Sequence, residues 1–167
     1  MKTRDIALTG VLSAIALTIF MLEAQLPPIV PLPGVKLGLS NIVTLAAMAV
    51  LGRRCAALVL LVRVVLGSVF AGSASAFLFS ACGGALAFAV MAALIGVLPQ
   101  KLLWVVSVLA AVAHNAGQLF AAVLVSGTPS IVVYAPALLA AGIATGVFTG
   151  FAAVYLVPPL QKLADRG

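Results

Sequence analysis

Residues 6–26 read IALTGVLSAIALTIFMLEAQL, with one acid, Glu23, near the end, and PPIVPLPG follows at 27–34. A helix needs about 20 mostly apolar residues to cross the hydrocarbon layer of a bilayer. Paired prolines stop such a helix, because each lacks an N–H and crowds the preceding turn. Lys2 and Arg4 precede the run, as in a secretory signal. The apolar stretch is long, however, shows no A-x-A-like cleavage site before the prolines, and is followed by more of its kind. It reads as the first transmembrane helix.

Working outward, the same signals repeat. Helix 2 is expected from about Val35 to Leu51, ending at Gly52-Arg53-Arg54, and helix 3 from about Cys55 to Phe70. Helix 4 should cover about Ala76 to Leu98, before Pro99, and helix 5 about Leu102 to Val125. Helix 6 should run from about Tyr134 to Val157, closed by Pro158-Pro159. The composition agrees, with 65% hydrophobic residues, 7% charged residues and a mean hydropathy of +1.33. A soluble domain of this size cannot hide so much apolar surface. The expected fold is therefore all-α: a polytopic membrane protein, one six-helix bundle over residues 1–167 with no internal duplication.

The net charge of +6 is a topology signal rather than a nucleic-acid footprint. The basic residues stand at the ends of apolar runs and do not interleave with aromatics. With both termini in the cytoplasm, Lys2, Arg4, Arg53, Arg54, Lys101, Lys162 and Arg166 fall inside, and only Lys36 falls outside the spans on the opposite face. That is the positive-inside pattern of a multi-pass protein of the bacterial cytoplasmic (inner) membrane. Cys55 and Cys82 are far apart and lie in or beside apolar runs, without metal-ligand spacing.

Polar residues within spans are costly and so informative. Arg63 stands near the middle of helix 3 and cannot shed its charge. It either pairs with Glu23 for structure alone or contacts an anion in a cavity. Helix 5 brings His114, Asn115 and Gln118, three and four residues apart, onto one face. Helix 2 starts with Lys36, Ser40, Asn41 and Thr44, and Glu23 ends helix 1 at the same level. These features converge on the outer half of the expected bundle. Cations from Lys36 and Arg63, amides from Asn41, Asn115 and Gln118, the imidazole of His114 and apolar walls suit an amphipathic ligand with an anionic or strongly polar end. The proline-rich stretch at 27–34 would lie above it as a lid.

Small residues mark helix packing. Gly142, Gly146 and Gly150 recur every fourth residue on helix 6, and Gly10 with Ala14 makes a small-xxx-small patch on helix 1. Either could serve internal packing or a partner helix.

Absences exclude several functions. No G-x-x-x-x-G-K-[ST] phosphate loop is present, so the chain has no means of its own to use ATP. The three acids, Asp5, Glu23 and Asp165, are dispersed, whereas magnesium–diphosphate chemistry needs grouped carboxylates. The single histidine has no recognisable serine–acid partners. No catalytic residue, metal site or cofactor is expected, and the protein reads as a non-enzyme.

The run PGVKLGLSN at 33–41, Arg63 with Gly67-Ser68, and His114-Asn115 with Gln118 resemble the Gx transporter family, which is also labelled heptaprenyl diphosphate synthase component I. The resemblance covers nearly the whole chain. Members are similar to the S components of energy-coupling-factor (ECF) transporters, six-helix proteins that capture a vitamin or precursor from outside. The resemblance implies a transmembrane coupling subunit and two ATPase subunits as partners. It implies Lys36, Asn41, Arg63, His114, Asn115 and Gln118 as characteristic positions. It further implies a docking patch at Gly10 and Ala14, with glycine in place of the first alanine of an A-x-x-x-A pattern. The implied ligand is an isoprenoid or quinone precursor. Two other functions are open at this point: a non-catalytic membrane subunit of a prenyl diphosphate synthase, and a small standalone channel or carrier.

Overall fold

The structure, a computed structural model, describes residues 2–26 and 37–165. Lys36 and the proline-rich stretch lie outside the described residues. The chain forms six α-helices: α1 (Thr3–Glu23), α2 (Asn41–Leu51), α3 (Arg53–Ala71), α4 (Ala74–Leu94), α5 (Leu103–Ser126) and α6 (Ala135–Asp165). Short 3-10 turns at Gln100–Leu102 and Pro129–Tyr134 lead into α5 and α6. Five helices are long and apolar enough to cross a membrane, and α2 is the exception. This is a multi-pass membrane protein.

The connections explain the topology. Gly52, at φ +85°, alone joins α2 to α3 and turns the chain where a side chain would be strained. Gly72, at φ +61°, ends α3, and Ser73 caps α4 by accepting from the Ala76 N–H at 3.4 Å. Such short joints make neighbouring helices antiparallel. Arg53 donates to the Ala92 carbonyl at 2.7 Å, tying the start of α3 to the end of α4.

Packing places α5 between α4 and α6, while α1 leans on α3 and α2. The short α2 touches each of the other five helices and is buried nearly all round. Leu45, Ala47, Met48, Val59, Met91, Val106 and Val157 form the core around it. The outward faces carry Phe70, Phe148, Phe151 and Tyr155, as lipid-facing surfaces do.

Helix 1 lies three residues earlier than expected and helix 4 ends four residues earlier, at Leu94; two other boundaries depart further. Helix 2 was expected from Val35 but begins at Asn41, because Gly38 at φ +77° breaks the apolar run. Its length of 11 residues corresponds to about 16 Å, half a bilayer core. A half-length helix is tolerated because protein, not lipid, surrounds its start. Helix 6 was expected to stop at Pro158-Pro159 yet continues to Asp165. A proline forfeits its own N–H bond, but its φ is helical, so a helix can resume beyond it. Tertiary contacts hold that last turn, with Val157 and Ala164 buried and Gln100 Nε2 donating to Gln161 Oε1 at 3.2 Å.

The glycine stripe of α6 is internal packing. A Cβ on Gly146 would lie 2.5 Å from Val108 Cα, and one on Gly150 2.5 Å from Trp104 Cα. These glycines bring the α5 and α6 backbones together, and Ser107 and Thr149 share a hydrogen bond of 2.9 Å across the seam. On α1, Gly10 and Ala14 face outward, with nothing within 4 Å of a Cβ on Gly10.

Candidate functional site

The level of the site follows from helix length. Asn41 is the first residue of α2, Arg63 stands about ten residues into α3, and His114 about eleven residues into α5. At 1.5 Å per residue each lies roughly 15 Å from the end of the bundle that carries Gly52. The hydrocarbon layer is about 30 Å thick. The cluster therefore sits near its middle, deeper than the outer-end placement expected for Ser40, Asn41 and Thr44.

Arg63 is the largest fully buried side chain, at 1% exposure. Its Nη1 donates to Asn41 Oδ1 at 3.0 Å and to Ser40 Oγ in a shorter bond. Ser40 thus spends its hydroxyl on the guanidinium instead of capping α2, which it precedes. Glu23 is buried as well; its Oε1 accepts from the Gly38 N–H at 2.5 Å, and its charge attracts Arg63. The positive φ of Gly38 is what allows that N–H to face α1.

His114 occupies a slot between two glycines. A Cβ on Gly38 would come within 2.9 Å of its Cδ2, and a Cβ on Gly83 within 2.8 Å of its Cε1. Gly67 and Gly84 act similarly: a Cβ on Gly67 would meet the Phe20 ring at 2.6 Å, and one on Gly84 would come 3.2 Å from Arg63 Nη2. Gly83-Gly84 lies mid-helix, where glycine costs roughly 1 kcal/mol relative to alanine. That unfavourable pair was the sequence signal for a close approach, and the polar-residue reading passed over it. Phe20 and Ser80 were missed too, since neither stands out among apolar neighbours.

Phe20, Glu23, Gly38, Ser40, Arg63, Ser80, His114 and Gln118 enclose a space of about 10 Å³, near the least that admits one water molecule. Arg63 Nε, Asn41 Nδ2 and His114 Nδ1 are buried without a hydrogen-bond partner among the described residues. Burying such groups unmatched is costly, so they mark a place where further polar partners are wanted. Among the described residues no three His, Cys, Asp or Glu side chains gather to hold a metal ion.

The structure brings Glu23, Asn41, Arg63, His114 and Gln118 together. It turns Asn115 away. Successive helix residues are about 100° apart, so Asn115 lies at the edge of the face shared by His114 and Gln118. Its Nδ2 donates to the Leu138 carbonyl at 2.7 Å, and Gly142 leaves room for the amide. Asn115 instead lines a separate apolar groove of about 390 Å³ between α5 and α6, with Val112, Leu119, Pro136 and Leu139. Lys36 lies outside the described residues, as does the expected lid.

Compared with known proteins, residues 12–156 match the family described as heptaprenyl diphosphate synthase component I. No curated protein and no solved structure matches the chain.

Proposed function

Since the chain belongs to the heptaprenyl diphosphate synthase component I family, we propose that it is the substrate-binding membrane subunit of an ATP-driven importer of the ECF type. In this reading it captures an amphipathic anionic molecule, an isoprenoid or quinone precursor, and catalyses nothing itself. The observation that supports it best is the buried guanidinium of Arg63, mid-span, with further unmatched donors around a small cavity. A charge at that depth is expensive and marks function by default. The basic residues Lys2, Arg4, Arg53, Arg54, Lys101 and Lys162 support a cytoplasmic location for the Gly52 end in a bacterial cell, by the positive-inside rule. The ligand then enters from the opposite face.

Without a phosphate loop the energy must come from partners, a coupling subunit and two ATPases. The outward-facing Gly10 and Ala14 on α1 provide a flat surface against which another helix can pack closely. The family description supports a second reading, a non-catalytic membrane subunit of a prenyl diphosphate synthase. Affinity purification from native membranes separates the two. A coupling subunit and ATPases are expected to come down with the wild type and to be lost with Gly10→Leu, whose thermal stability in isolation stays unchanged. A soluble synthase in their place, retained by Gly10→Leu, speaks for the second reading.

A further inference from the structure

We propose that Glu23 is an internal stand-in for the ligand's head group, and that a phosphate-class oxyanion binds by displacing it. This rests on reading the cluster as an anion site. The Glu23 carboxylate already lies where an anion belongs: it accepts from the Gly38 N–H at 2.5 Å and lines the same small cavity as Arg63. That N–H lies just ahead of α2, whose N-terminal dipole favours negative charge.

The space left beside the carboxylate, about 10 Å³, admits a water and no head group. Among the described residues of this cluster, a ligand anion is seated by taking the place of the Glu23 carboxylate. The protein's own carboxylate also leaves donors unanswered, since Arg63 Nε and Asn41 Nδ2 are buried and find no acceptor among the described residues. A tetrahedral oxyanion spreads its acceptor oxygens in three dimensions toward the Gly38 N–H, Arg63 and Asn41 together, where a carboxylate offers its acceptors in one plane. Phosphate is thereby favoured over carboxylate, and an ammonium head is rejected by Arg63.

Glu23 is the only glutamate in the chain, so protein grown with carboxyl-¹³C glutamate reports it as a single carboxylate resonance. In phosphatidylcholine nanodiscs, octyl phosphate is expected to move that resonance, saturating at one molecule per protein. Octanoate should do so at higher concentration and octylamine not at all. Glu23→Gln, which removes the competing charge, should bind octyl phosphate on the order of tenfold more tightly, as expected when a closed competitor state is depleted. If octyl phosphate binds while the resonance stays in place, or if Glu23→Gln binds no better, displacement is wrong and the anion site remains. If the variant does not fold, the wild-type resonance decides alone. If none of the three amphiphiles binds, the anion-site reading itself fails. A shift produced by phosphatidylglycerol nanodiscs without octyl phosphate supports displacement with a lipid head group as the source.

Discussion

Arg63→Ala is expected to destabilise the bundle by about 2–5 kcal/mol, the range for truncating a large buried side chain. Three losses combine. Ser40 Oγ and Asn41 Oδ1 lose their donor, the buried Glu23 carboxylate loses the positive charge facing it, and a fully buried side chain leaves a void. Arg63→Lys should recover only part of the loss, because both bonds leave Nη1, and the shorter lysine stem ends before that position. Denaturant titration of the detergent-solubilised protein measures this. A change within about 0.5 kcal/mol, the usual range for surface positions, would mean that Arg63 is hydrated or lipid-facing and that the cluster is not closed.

The second large effect involves no polar group. Gly117→Val should cost several times more than Gly10→Val, because the two glycines differ in what a side chain would meet. At Gly117 a Cβ would fall 2.5 Å from the Cys82 carbonyl oxygen and 2.9 Å from Gly83 Cα. Both are backbone atoms of α4, which cannot rotate aside, so α4 and α5 must separate. Overpacking of this kind costs typically 1–3 kcal/mol, and more where the backbone is the obstacle. Gly83 and His114, which share the slot one turn away, move apart with it, so ligand binding should fall together with stability. At Gly10 nothing lies within 4 Å, and the isolated protein should tolerate valine within about 0.5 kcal/mol. Equal melting temperatures for the two variants would contradict the α4–α5 contact.

Much of this architecture is legible in the sequence for a simple reason. Lipid demands long apolar helices with internally satisfied backbones, so α1, α3, α4 and α5 announce themselves by composition, and their ends by Gly and Pro. α2 is not legible in the same way. Residues 35–40, VKLGLS, carry no proline to mark a helix start, and the backbone geometry at Gly38 shows that the helix begins later. The end of α6 is hidden because Pro158 and Pro159 remove local hydrogen bonds, whereas the contacts that carry the helix onward are tertiary. In the site, Arg63 and Glu23 are legible because charges within a span require a reason. The glycines that shape the His114 slot are not, since what a missing side chain makes room for is visible only once the opposing helix is placed. The direction of Asn115 is hidden for a related reason: neighbouring helix positions diverge by about 100°, enough to send its amide to α6 while His114 turns toward Gly38.

The central claim is that the Arg63 cluster holds the anionic end of a small amphiphile. Native mass spectrometry tests it most directly, on wild type and Arg63→Met that have been equilibrated with a total membrane extract. The expected result is a one-to-one adduct of an acidic small molecule on the wild type, absent from Arg63→Met. An adduct retained at full occupancy by Arg63→Met, or a neutral or cationic molecule in its place, would contradict the account.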